Sequence, residues 1–330
     1  MKKLCSLMLC AALLLSLTAC GGPAKYTADT FAFDTVISLV AYCDSEEQFQ
    51  QLRSVIFGRI QELHKKFNIY HEYEGMNNLC TVNRLAGQTV EVDDDIRDML
   101  ISARGIWSET GGLVNAAQGK LFALWKEARD TGILPTDAAI QQAMAHGDME
   151  NLTWSGHGET PAVTLHDPEM ALDVGAIAKG WAAQAAADAA MEAGFTNFVI
   201  SAGGNVVACG LAEGKRPWTV GIRDPQSVDP TAHVAAVEAD YEAVVTSGGY
   251  ERKLEVDGKT YCHIIDPRTG YPADFVLSAT AICKKSDQAD GFSTALFLMT
   301  PEEAMAFAKD HHLRAIIIDH DGKVWDSETE

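Results

Sequence analysis

The sequence predicts an α+β fold, a single compact domain of mixed, mainly antiparallel sheets with flanking helices. Two observations predict it. Strand and helix signals interleave along the 330 residues without the regular βαβ rhythm of a parallel sheet. Several strand pairs are separated only by short glycine-containing turns, and no repeat, low-complexity segment or long linker divides the chain.

The elements follow in order. Residues 31–43, "FAFDTVISLVAYC", are rich in β-branched and aromatic residues and read as one strand. From Glu46, a helix places Phe49, Leu52, Val55, Ile56, Ile60, Leu63 and Phe67 on one apolar stripe. Residues 68–87 are polar and broken, a surface loop. Asp93 to Asp95 cap a helix carrying Ile96, Leu100, Ala103 and Trp107, which Gly111-Gly112 ends. Residues 119–129 form a short helix. Alanine-rich 175–193 forms another, starting near Ala176 and closed by Gly194. Residues 197–210 give two short strands hinged at Gly203-Gly204. Strands are expected at 218–224, 242–249 and 276–283, with a hairpin at 252–265 turning on Asp257-Gly258. Residues 288–299 and 301–311 read as helices, 314–327 as a closing hairpin, and 225–229 as an exposed loop.

The first residues carry a different signal. Lys2 and Lys3 precede an apolar run, Leu7 to Leu17, too short for an ordinary membrane span. Leu17-Thr18-Ala19-Cys20 then resembles a bacterial lipobox, in which cleavage exposes a cysteine that becomes lipidated. The expected organisation is a signal segment over 1–19, a lipidated Cys20 and tether over 20–30, and a folded domain over 31–330. The domain is therefore expected outside the cytoplasm, on the outer or periplasmic side of a bacterial membrane.

The formal charge of -20 argues against nucleic-acid binding and against adhesion to anionic lipid. A phosphate-bearing ligand would need a local cation. Cys43, Cys80, Cys209, Cys262 and Cys283 follow Cys20 with no CxxC spacing, so buried free thiols are expected. Phosphate-binding GxxxxGK[ST] and GxGxxG loops are absent, as are GxSxG and HExxH.

Three polar islands remain. In "ALDVGAIAKGWAAQAA", Asp173 ends a strand, Gly175 turns, and Lys179 lies in the first turn of a helix, where the dipole disfavours a cation without an anion nearby. Lys179 either helps receive a phosphate at that helix end or pairs with Asp173 on the surface. In "QADGFSTALFLM", Asp290, Ser293 and Thr294 share one helix face, as a hard-oxygen set suited to Mg²⁺ or as an N-terminal capping cluster. In "YCHIIDPRTGYPADF", His263 precedes the turn Asp266-Pro267-Arg268-Thr269-Gly270. This histidine is either a general base or a strand-end residue bonded to Asp266. "TSGGYER", residues 246–252, could pack alongside.

Together the blocks "LDVGAIAKGWAA", "VISAGGNVVACG", "VVTSGGYER", "HIIDPRTGYP" and "ADGFSTAL" resemble the ApbE family, in that family's order, from about Phe33 to the last helices. The resemblance implies a metal-dependent FAD:protein FMN transferase. Such an enzyme cleaves the diphosphate of FAD, moves FMN onto a Thr or Ser hydroxyl of an exported electron-transfer protein, and releases AMP. It implies that the Ala176 carbonyl, Asp290, Ser293 and Thr294 hold Mg²⁺, with Ser293 standing where some relatives carry aspartate. It places Tyr70, Val114, Asn115, Ala116, Asp173, Lys179, His263 and Ile264 around FAD. Asn115 stands where many members carry aspartate. His263 is expected to take the proton of the acceptor hydroxyl, with Asp266 orienting it. A flavin-scavenging lipoprotein and an FAD pyrophosphatase are the competing expectations.

Overall fold

The computed structural model describes residues 22–156, 158–229, 231–250 and 252–329. The expected signal segment and Cys20 lie outside them. The chain runs β1 (Ala24–Ala32), β2 (Thr35–Cys43), α1 (Glu46–Lys66), α2 (Leu79–Arg84), β3 (Thr89–Glu91), α3 (Asp94–Glu109), α4 (Gly119–Thr131) and α5 (Asp137–Ala145). Then come β4 (Leu152–Trp154), β5 (Ala162–Leu165), α6 (Ala178–Glu192), β6 (Phe198–Ala202), β7 (Asn205–Cys209), β8 (Trp218–Arg223), β9 (His233–Ala239) and β10 (Glu242–Gly248). The last elements are β11 (Lys253–Val256), β12 (Lys259–Cys262), β13 (Ser278–Cys283), α7 (Ser286–Phe297), α8 (Pro301–Asp310), β14 (Arg314–Ile318) and β15 (Val324–Asp326).

Eight strands pair antiparallel in the order β1-β2-β6-β7-β10-β13-β14-β15. The period-2 alternation of a strand explains how this sheet buries two faces at once. On one face Ala243, Val245, Ala279, Ala281, Ala315 and Ile317 join the main core. Their neighbours Val244, Ile282, Ile316 and Ile318 point the other way, under Trp218, Ile222, Val237 and Ala239 of the β8–β9 ribbon. Small side chains dominate the first face, so α7 can lie close to β10 and β13. Helix α6 is shared between two cores: Ala178 and Ala182 face the main core, while Ala183, Ala186, Ala187 and Ala190 pack with α1 and β6. Its alanines let α1, α6 and α7 sit side by side.

Local chemistry sets the element ends. Ser45 caps α1 through Gln48 N, Asp93 caps α3 through Asp95 N, and Thr300 with Glu303 closes a capping box on α8. The expected hinge at Gly203-Gly204 and the Asp257-Gly258 turn both use left-handed backbone, with φ of 57°, 91°, 51° and 76°.

Several expectations change. Residues 31–43 are not one strand, because Phe33 and Asp34 turn with φ of 52° and 59° between β1 and β2. No glycine marks that turn. The tether expected to reach residue 30 is already β1 from Ala24 onward. The loop at 68–87 contains α2, capped by Asn78, which also donates to the Lys65 and His71 carbonyls. Helix α5, strand β9 and the sheet β3-β5-β4 were not foreseen. Cys43 and Cys209 are buried free thiols as expected, but Cys80, Cys262 and Cys283 are only partly buried. No described helix is long and apolar enough to cross a membrane.

Candidate active site

The site is built where α6 crosses α7. Gly175 to Ile177 turn ahead of α6, which begins at Ala178, two residues later than expected. The Gly180 N–H would meet the Ala176 carbonyl in a regular helix. Instead it donates to Asp290 Oδ2 at 2.8 Å. Among the described residues the Ala176 carbonyl is left without a hydrogen bond. This link needs glycine: a Cβ at Gly180 would lie 2.6 Å from Asp290 Cβ and would strike the Ser286 carbonyl.

Helix α7 begins at Ser286, so Asp290 sits a turn inside it and reaches across to α6. The capping alternative for Asp290, Ser293 and Thr294 is thereby excluded. Asp290 is only 4 % exposed. Burial pushes its carboxyl above the usual range, against the opposing pull of Lys179 and the Gly180 amide. Ser293 Oγ and Thr294 Oγ1 both donate to the Asp290 carbonyl, at 2.9 and 3.3 Å. Ser247 of β10 lies 2.9 Å from Ser293 Oγ and 3.3 Å from Thr294 Oγ1. Ser247 was not foreseen as part of this cluster; only strand pairing brings it there. Ser293 is fully buried, whereas Thr294 stays partly open.

Among the described residues no three His, Cys, Asp or Glu side chains group as metal ligands. A cation here would therefore rest on one carboxylate and neutral oxygens. Asp290, the Ala176 carbonyl and the partly exposed Thr294 would supply such a set, and hard-oxygen donors of this kind fit Mg²⁺.

Lys179 links this cluster to the others. Its Nζ donates to the Gly175 carbonyl at 3.0 Å and stands 3.9 Å from Asp290 Oδ1. The expected surface pair with Asp173 is not formed; Asp290 takes that place. Asp173 instead holds the loop, accepting from Gly175 N at 2.9 Å and donating its own N–H to the Ala116 carbonyl at 2.9 Å. Burial raises the Asp173 carboxyl despite the positive charges of Lys179, Arg129 and Arg252.

Those same three cations act on His263. Burial, then Arg252, Arg129 and Lys179, lower its imidazole to about 4, partly offset by a hydrogen bond to the Arg252 backbone. His263 Nδ1 is buried with no hydrogen-bond partner. The ring is therefore neutral at neutral pH, with one nitrogen unengaged by the protein. Tyr70 completes the rim. It is 60 % exposed rather than core, with Lys126 5.9 Å from its ring centre, and it too feels Asp173, Arg252 and Arg129.

Asp266 does not orient His263. Its two oxygens accept from Arg268 N at 2.8 Å, Nε at 2.9 Å and an Nη at 2.9 Å, and Arg268 also donates to the Leu298 carbonyl at 2.8 Å. A guanidinium two residues away satisfies the buried carboxylate locally, so Asp266 shapes the turn. That turn is seated on α4 and α5: Trp125 Nε1 donates to the Gly270 carbonyl at 2.8 Å, and Tyr271 bonds Asp137.

The remaining expected residues form a supporting shell. Val114 and Ala116 are buried, and the Ala116 carbonyl accepts from Asp173 N. Asn115 Nδ2 donates to the Gly147 carbonyl at 2.9 Å and its Oδ1 accepts from Ala117 N at 2.9 Å. Both ends of its amide are engaged by the chain, and an aspartate would lose the donor to Gly147. Ile264 is buried, with its carbonyl accepting from Ala273 N. A surface cleft of about 460 Å³ lies over residues 72–84 and contains none of these groups.

The chain is similar to known proteins in sequence and in fold. The FAD:protein FMN transferase of Rhodobacter capsulatus is 30 % identical over 310 residues, 92 % of this chain and 57 % of the relative. That of Vibrio cholerae is 34 % identical over 213 residues, 63 % of this chain and 62 % of the relative. The chain thus spans about three-fifths of these relatives. A crystal structure of the ApbE protein from Thermotoga maritima superposes with a TM-score of 0.83 at 28 % identity, covering 93 % of this chain and 98 % of that one. The flavin transferase ApbE of Vibrio cholerae gives 0.79 at 26 %, with the same coverage. The ApbE family pattern matches residues 33–317, and the chain belongs to the ApbE family.

Proposed function

We propose that the protein transfers FMN from FAD to a Thr or Ser hydroxyl of an acceptor protein, releasing AMP. The observation that carries this reading is one rim with two kinds of chemistry. Lys179 stands between the Asp290–Thr294 oxygen cluster and His263 with its unpartnered Nδ1. The names of the matched relatives, FAD:protein FMN transferases, support it.

In this reading the neutral imidazole of His263 accepts the proton of the acceptor hydroxyl. The hydroxyl oxygen bonds to the phosphorus of the FMN half of FAD, the P–O bond to the other phosphate breaks, and AMP leaves with that electron pair. FAD carries its own activated phosphoryl group, so no ATP is needed outside the cell. Lys179 faces the diphosphate, and exposed Tyr70 offers a flat surface to a ring. Asp290, Thr294 and the Ala176 carbonyl would hold Mg²⁺, which supplies neutralisation of phosphoryl oxygens when bound. Ser293, already bonded to Ser247 and the Asp290 carbonyl, positions the cluster. The acceptor is an exported or membrane-bound electron-transfer domain bearing the Thr or Ser. Lipidation at Cys20 would hold the enzyme on the same side of the membrane as that acceptor.

The test is incubation of the purified chain with FAD, Mg²⁺ and an FMN-binding acceptor domain, followed by mass spectrometry. The expected product is an acceptor heavier by one FMN, absent with EDTA or in Asp290→Asn. Free FMN and AMP with every supplied acceptor unmodified would replace this reading with an FAD pyrophosphatase. Bound, unchanged FAD would replace it with a flavin scavenger.

A further inference from the structure

Arg129 reaches the same rim from α4. Its neighbour Ala128 packs with Leu121, Trp125, Leu254 and Ile265 in a small apolar cluster that joins α4 to β11. That contact brings Arg129, in the last turn of α4, towards Arg252, which directly precedes β11. The two guanidinium charges act on one another and together on Tyr70, Asp173 and His263.

Arg129 is partly buried, and among the described residues its guanidinium has neither an ion pair nor a hydrogen bond. Burial and Arg252 hold it below the usual guanidinium range. Nearby Lys126 is different, since Asp130 pairs with it at 2.8 Å. Asp173, a second carboxylate of this rim beside Asp290, makes no ion pair with either arginine among the described residues. Among the described residues the ion-pair partner of Arg252 is Asp34, at 2.7 Å, on the β1–β2 turn. Asp34 is 78 % exposed, and an ion pair so open to water contributes little and exchanges readily. Two like charges kept together in a chain of net charge -20, one of them without a carboxylate partner among the described residues, suit an anion.

We propose that Arg129 and Arg252 form a diphosphate clamp, in which an incoming phosphate group displaces Asp34 from Arg252 and gives Arg129 the partner it lacks. Planar guanidinium forks suit paired phosphate oxygens better than a lysine point charge does. The identity of the occupant rests on the flavin-transfer reading: with FAD as substrate, it is the FAD diphosphate.

The experiment is calorimetric titration of the purified full chain with inorganic pyrophosphate in EDTA, then with FAD, FMN and riboflavin. Wild-type protein should bind pyrophosphate. Arg129→Gln should bind it roughly tenfold more weakly or worse, the loss expected for a charge-assisted contact. Asp34→Asn should bind it a few-fold more tightly, because the resident competitor is gone. FAD and FMN should follow pyrophosphate across the variants, while riboflavin should ignore Arg129→Gln. Circular dichroism and unliganded melting confirm that each variant is folded. Equal pyrophosphate affinity in wild type and Arg129→Gln, or none in wild type, overturns the clamp. Pyrophosphate binding through Arg129 with no flavin binding would leave the clamp standing and remove the flavin-transfer reading. Full transfer from FAD by Arg129→Gln would retain that reading and remove the clamp.

Discussion

His263 decides where on the pH scale the proposed reaction can run. A base works in its unprotonated form, and burial plus three nearby cations hold this imidazole to about 4. Transfer should therefore be flat through neutrality on its acid side and fall only as pH drops through about 4. An unperturbed histidine would lose activity near 6.5. The same shift affects folding: below about 6.5 the unfolded chain takes up this proton first, so His263 withdraws stability as pH falls towards 4. A kcat/KM profile checks the catalytic half, and His263→Ala should lower transfer by about 10²–10⁴-fold at pH 7 while FAD still binds. An acid limb at 6.5, or full activity in the variant, would remove His263 as the base. Among single residues, Asp290, Thr294, Lys179 and His263 stood out in the sequence because each is polar within an apolar or turn-rich stretch. Ser247 and Arg129 did not. One looks like an ordinary strand serine and the other like an ordinary helix-end arginine, and only pairing across the sheet and packing of α4 on β11 give them a place at the site.

At the level of elements, the crossing of α6 and α7 carries the geometry, and Gly180 permits it. On propensity alone, Gly180→Ala should stabilise α6 by about 0.8–1.0 kcal/mol. Its Cβ would nevertheless sit 2.6 Å from Asp290 Cβ and press on the Ser286 carbonyl, and backbone cannot give way as a flexible side chain can. Overpacking of this kind costs about 1–3 kcal/mol, so the steric effect wins. The expected result is a lower melting temperature and lost transfer, since the Gly180–Asp290 hydrogen bond cannot keep its length. Gly58→Ala is the contrasting variant. Gly58 is exposed on α1 with nothing within 4 Å of an added Cβ, so the same substitution should stabilise there by about 0.5–1 kcal/mol. Equal melting shifts in the two variants would mean that α6 and α7 are not in tight contact. Long periodic helices such as α1 and α3 were legible because their apolar stripes repeat over several turns. The β1–β2 hairpin was not, since Phe33-Asp34 adopts a left-handed turn without glycine. Strands of three or four residues, such as β3, β4 and β5, hold too few alternations to display a period.

Over the whole molecule, local and long-range electrostatics oppose each other. The chain carries -20 formal charges, yet the rim gathers Lys179, Arg129 and Arg252 around His263. A dianionic nucleotide approaching from solution meets the net field first, because at about 10 mM salt the screening length is about 30 Å. At physiological salt that length shrinks to about 8 Å, and only charges near the rim still act across solvent. Raising salt should therefore increase the association rate of FAD by removing the repulsion. Dissociation should quicken as well, because ions screen the contacts made at the rim. Stopped-flow flavin fluorescence between 10 and 150 mM NaCl separates the two rates. Most proteins that bind phosphates steer them in, and their association slows with salt. A slowing here would mean that the three cations govern the encounter from a distance, with the acidic remainder facing away from the path of approach. A rising association rate would place the selectivity for phosphate in the last few ångströms. There, a guanidinium without a carboxylate partner can discriminate a diphosphate from the many smaller anions that the net charge also repels.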